Sequence, residues 1–189
     1  MSESLQEIIN KLWIAPEDAV WTPKTDVVAV SDVQRWISSS DIEILGFTYA
    51  LLSDRRFRIE PPIPLDDYVK FVKHYYERCF RENPDGEWSD SSHSAGTDLV
   101  NLFAHLWRDT SVPRSVLDDL KMWLARLYKE GDPAIRNCIV QATLEHLFEQ
   151  EQIREFFSDW QGDEVLAVAH EEASEWYKRG GHSPLGKPH

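Results

Sequence analysis

At 189 residues, 42% of them apolar and with eight Trp, eight Phe and six Tyr, the chain has the hydrophobic mass of a folded domain, which excludes a disordered polypeptide. Its formal charge of -13 argues against a nucleic-acid binder, because phosphate neutralisation needs clustered Lys and Arg, and disfavours an anionic membrane surface. Such a charge steers a protein towards basic proteins or cationic ligands.

The start, MSESLQEIINKLW, predicts a short amphipathic helix over 3–13 rather than a basic segment leading into an apolar run, so no signal peptide is expected. Next, WTPKTDVVAV is irregular or extended, with Val27 to Val30 a short strand for which the pattern shows no partner. Ser31 is placed to cap a short helix through Ile37, and Asp41 a second one to about Ser53. The segment RIEPPIPLDD must be extended, since successive prolines exclude helix and push their predecessors to extended conformations. Tyr68, Phe71, Val72, Tyr75, Tyr76 and Cys79 then mark the apolar face of a helix over about Leu65 to Arg81.

After the polar loop ENPDGEWSDSSHSAG, Thr97 or Asp98 is the expected cap of a helix burying Leu99, Leu102, Phe103, Leu106 and Trp107. Pro113 opens another, with Val116, Leu117, Leu120, Trp123, Leu124, Leu127 and Tyr128 inward and Gly131 as a left-handed cap. Asp132-Pro133 starts a third, and ATLEHLFEQEQIREFFSDW (142–160) reads as its strongly apolar continuation. A last helix runs from Asp163 to the RGG at 179–181, with Val165, Leu166, Ala169, Ala173, Trp176 and Tyr177 inward. The pattern predicts an all-α fold: one domain over 1–181, a bundle of about seven or eight helices with a short extended segment near 26–30, and a flexible tail over 182–189. No apolar stretch approaches the ~18 residues of a membrane span. With Cys79 and Cys138 in apolar helical patterns, reduced thiols and a cytoplasmic location are the expectation.

Two groups of residues carry functional signals. His146 and Glu149 lie three apart, and with His170 they make a candidate metal or acid–base site, because an i, i+3 histidine and carboxylate can converge on an ion. The companions such sites need are missing: there is no second copy, no HExxH, no GxSxG and no glycine-rich phosphate loop. A paired structural histidine is the favoured reading, and no cofactor is assigned. The second signal is charge. Between Glu145 and Glu175 ten acids face a single base, Arg154, which leaves -9 of the chain's -13. Glu164, Glu171, Glu172 and Glu175 on the last helix form a candidate surface for a basic partner, a solvated acidic face being the alternative, and Trp88 from the polar loop either joins that surface as an aromatic anchor or folds back on the core.

The runs IRNCIVQATLEHLFEQEQIREFFSDW and LAVAHEEASEW resemble an uncharacterised bacterial all-helical family of domains of unknown function, immunity-protein-like in character, over about the last third of the chain. The resemblance implies a protein that neutralises a cognate toxin by binding it, and it transfers no catalytic residue. Together these observations favour a non-catalytic acidic binding protein, an immunity protein for a basic toxin or a binder of another basic protein. A small metal-dependent enzyme around His146, Glu149 and His170 is the alternative, and a subunit whose aromatic surplus covers an oligomer interface is a third reading.

Overall fold

A computed structural model describes residues 26–179. The helix expected over 3–13 and the tail over 182–189 lie outside these residues. Within them the chain is helical apart from one two-stranded sheet, as the periodicity predicts. The chain gathers into two compact units: one runs to Tyr75 and takes in Asp85–Ser89, the other comprises Tyr76–Pro84 and everything from Asp90 onward.

In the first unit, strand β1 (Asp26–Ala29) leads directly into α1 (Val30–Ile37), then α2 (Ile42–Ser53), β2 (Phe57–Glu60) and the first part of α3 (Leu65–Glu82). The strands pair in parallel, with Val27 opposite Arg58 and Val28 opposite Ile59. A parallel pair needs a long crossover, here α1 and α2, and so leaves no hairpin turn in the sequence to announce the partner. Val28, Val33, Trp36, Phe47, Leu51 and Phe57 form the core, with the Trp36 ring edge-on to Phe47 at 5.6 Å. Asp41 caps α2 as expected, its carboxylate accepting from the Glu43 amide at 3.0 Å. Ser31 does not cap α1: the helix starts at Val30, straight from the strand, with no side-chain cap.

The second unit holds the end of α3, then α4 (Ser92–Arg108) and α5 (Arg114–Glu130). All seven apolar positions expected to face inward on α5 are buried. Helix α4 begins several residues before Thr97, because Ser91 Oγ accepts from the Ser94 amide at 3.2 Å and draws SHSAG into the helix. Gly96 therefore lies inside a helix, where a Cβ would meet the Ala142 Cβ at 2.6 Å. That bare backbone lets Thr143 Oγ1 donate to the Gly96 carbonyl at 3.2 Å. Gly131 does end α5, but in extended conformation (φ -69°, ψ 149°) rather than left-handed. Its requirement is steric: a Cβ there would sit 2.7 Å from Ile135 Cγ2 and 2.8 Å from the Leu127 carbonyl oxygen.

The expected continuous helix from Pro133 to Trp160 is broken. It runs as α6 (Pro133–Cys138), a π-helical segment (Ile139–Leu144) and α7 (Glu145–Leu147), and then stops. The π segment closes i→i+5 bonds, as in Glu145 N–H to the Val140 carbonyl, so face arithmetic at 3.6 residues per turn loses phase beyond Ile139. Gln150 turns extended before α8 (Glu151–Phe156), which is followed by a 3₁₀ turn (Ser158–Gly162) and α9 (Leu166–Lys178). Arg154 Nη1 donates to the Phe148 carbonyl at 2.9 Å, one of the acceptors left without a helical partner by the break.

Candidate functional site: the acidic face of α9 and the groove beside it

The start of α9 is fixed by Asp163, whose Oδ1 accepts from the amides of Val165 and Leu166, each at 3.1 Å, while its other oxygen pairs with Lys129. The helix opens only at Leu166, which leaves Val165 outward at the cap rather than in the core as its spacing suggests. At 100° per residue, Val165, Val168, Glu171, Glu172 and Glu175 fall within about 120° of arc. Val165 and Val168 are 39% and 49% exposed, so they sit in solvent among the carboxylates. Glu164 stands in the turn just before the helix, also exposed.

The acids around this face divide into paired and unpaired. Asp159 pairs with Lys121 at 2.7 Å and Glu175 with Lys178 at 2.9 Å; outside this face, on α3, Glu77 gathers Arg81, Arg126 and the Trp123 indole N–H. Glu151, Glu155, Glu164, Glu171 and Glu172 are exposed and have no ion pair among the described residues. Burial pushes the nearby Glu145 carboxyl up, with His146 and Arg179 opposing and Glu172 adding to the shift.

His146 and Glu149 do meet: Nδ1 lies 3.2 Å from Oε1, and the His146 ring stands edge-on to Trp176 at 5.3 Å. His170 is placed elsewhere, 7% exposed, packed on Phe148 at 5.0 Å with Nε2 3.5 Å from the Gln161 amide nitrogen. Among the described residues no three His, Cys, Asp or Glu side chains converge in a way that could hold a metal ion. Burial lowers the His170 pKa, while a hydrogen bond to the Arg154 main chain works the other way.

Trp88 is half-buried rather than held out as an anchor. Its ring packs edge-on against Phe47 at 5.6 Å and against the core of the first unit. The cause is Glu43, whose carboxylate accepts from the amides of Glu87 (2.8 Å), Trp88 (3.0 Å) and Ser89 (3.2 Å) and from the Ser89 hydroxyl. Burial works to raise the Glu43 pKa, but the Ser89 hydroxyl and the three amides outweigh it and the carboxyl is held low.

Between α8 with its 3₁₀ turn and α9 lies a groove of about 570 Å³. Arg154, Glu155, Ser158 and Gln161 form one wall, and His170, Glu171, Ser174, Tyr177 and Lys178 the other. The Arg154 guanidinium lies 4.7 Å over the Tyr177 ring, and no carboxylate is within ion-pair reach of it among the described residues. Ser174 Oγ, in the groove wall, is buried without a hydrogen-bond partner among the described residues. Comparison with protein-family models, with curated proteins and with solved structures gives no match.

Sequence reasoning places the acids of α9 correctly at the surface but misses the groove. Periodicity describes one helix at a time, and this cavity exists only where a break at 148–150 turns α8 against α9. One signal was available. A single arginine amid ten acids is conspicuous in the sequence, and it turns out to line the cavity.

Proposed function

We propose that this chain is a non-catalytic binding protein that docks on a basic protein through the acidic face of α9, as an immunity protein docks on a toxin. One observation carries the reading: the two exposed valines of α9 stand inside a face of carboxylates, three of which, Glu164, Glu171 and Glu172, are unpaired among the described residues. Single exposed apolar residues are ordinary, yet two of the four large ones among the described residues share this face. Apolar residues ringed by charge match the anatomy of a docking patch, where desolvated side chains supply affinity and the charged rim supplies attraction and register. No helix among the described residues is long and apolar enough to cross a membrane.

The test is kinetic. The full chain captures its partner at low salt, and association of the captured protein is then followed at two ionic strengths. E164K/E171K/E172K is expected to slow association about tenfold at low salt and to flatten its salt dependence. V168D should act mainly on dissociation. A partner that associates with the charge-reversed chain as fast as with the native one sinks the reading.

A further inference from the structure

We propose that the groove between α8 and α9 receives the free C-terminus of a polypeptide ending in lysine or arginine. The inference rests on the reading of this chain as a binder of a basic protein, and it assigns the part of that partner which enters the groove.

Two stations of opposite charge define the ligand. At the first, Arg154 is the sole base between Glu145 and Glu175, yet no carboxylate of the described residues pairs with it. Its Nη1 is given to the Phe148 carbonyl and its flat face to Tyr177. A guanidinium has five N–H donors in a fixed fork that matches a carboxylate, so donors remain for a ligand. Lys178, on the opposite wall, adds a second positive charge, although Glu175 already holds it. At the second station, Glu155 and Glu171 line the groove from its two walls, and both are exposed and unpaired among the described residues.

Glu171 and Lys178 are seven residues apart on α9, a rise of about 10 Å. Arg154 lies over Tyr177, next to Lys178, so a terminal carboxylate there leaves its own side chain to run along α9 towards Glu171, with Glu155 on the facing wall. The four-carbon stem of lysine or the longer stem of arginine suits that direction and carries a cation at its end. A phosphate or another multiply charged anion is disfavoured, since residues 145–175 together carry -9. Free lysine satisfies both charges but fills only part of a groove of about 570 Å³, a volume in the range of sites that take drug-sized ligands. The last residues of a polypeptide fill it, with Ser158 and Gln161 on the wall available to their main chain.

The experiment titrates the full chain by calorimetry with acetyl-Ala-Gly-Ala-Lys bearing a free carboxylate. The same peptide amidated, the same peptide ending in leucine, and free L-lysine are run beside it. The free-acid lysine peptide should bind best, with amidation and the leucine ending each weakening it about tenfold or more. R154Q should abolish the preference for the free acid, and R154K, which keeps the charge without the fork, should restore part of it. The peptide series on the native chain decides the matter even where R154Q compromises folding. Equal binding of acid and amide, or no binding of any peptide, overturns the proposal, and free lysine binding as tightly as the peptide replaces the polypeptide with the amino acid. E164K/E172K lies outside the groove, so peptide affinity should stay within about threefold in that variant. A chain that loses the peptide but keeps a salt-dependent basic partner has lost the groove assignment alone.

Discussion

Asn83 does two things that substitution can separate. It follows α3 in the left-handed region (φ 43°), and its Oδ1 accepts from the Ser92 amide at 3.0 Å and the Ser92 hydroxyl at 2.9 Å at the start of α4. Glycine keeps the backbone conformation and loses the side-chain bonds, so N83G should cost about 1 kcal/mol. N83A loses both and should cost about 2–3 kcal/mol, because a Cβ in this region adds strain. Urea unfolding measures both, and equal losses would show that the backbone conformation carries no weight. Residues of this kind are partly legible in a sequence. Asp41 and Asp132 stand before apolar runs and are read directly as caps, whereas the bonds of Asn83 to Ser92 depend on where α4 begins, which the loop composition hides. The His146–Glu149 contact matches the spacing even though Glu149 stands in the turn after the helix ends at Leu147, because Phe148 keeps a near-helical backbone (φ -76°, ψ -7°) and the two side chains still meet.

Helical faces were read well wherever an element was regular, as on α5 and on α3, whose Phe71, Val72, Tyr75, Tyr76 and Cys79 are all buried. Three of the misses share one cause: a non-local contact overrides a local preference. Gly96 looks like a helix boundary but is accommodated inside α4 because Ala142 packs on it. Strand β2 looks like a proline-led linker but pairs with β1. The loop at 86–89 looks solvated but is drawn in by Glu43. E43A removes the shared acceptor of three amides and a hydroxyl and should destabilise the protein by about 2 kcal/mol, with Trp88 emission shifting to the red. Unchanged stability and emission would mean that the ring contact with Phe47 alone positions the loop.

For the molecule as a whole, acid should act in two phases. Burial depresses the His170 pKa, so the folded chain resists a proton that the unfolded chain takes up near its ordinary value of about 6.5. Stability from this source is present above that pH and is lost as the pH falls through it. Glu43, Asp54 and Glu77 are carboxylates held low against the opposing effect of burial, Glu43 by the amides and hydroxyl of its loop, Asp54 by Arg56, and Glu77 by Arg126, Trp123 and Arg81. Their contribution is present above about pH 4 and disappears as the pH drops through their lowered values. Urea midpoints between pH 8 and pH 3 should therefore decline first below about 6.5 and again below about 4, and H170Q should remove the first decline. A flat profile between pH 7 and 5 in the native chain would contradict the burial of an uncharged His170. At this scale the sequence conveyed helical class and the asymmetry of charge, since both are sums over many residues. The cavity beside α9 depends on a few relative placements and was not conveyed.

The π segment has a consequence for how this chain tolerates changes of length. Between Ile139 and Leu144 the helix accommodates one residue more than an α-helix closing the same bonds would hold, and Gln141 is the exposed member of that stretch. Deleting Gln141 lets the segment relax to α geometry while the flanking turns keep their rotation. A deletion in a regular helix such as α5 instead swings every later side chain by about 100°. The widened turn is thus a slack residue, placed where Ala142 and Thr143 meet Gly96, and a shorter chain that kept the rest of this helix in phase would lose its residue there.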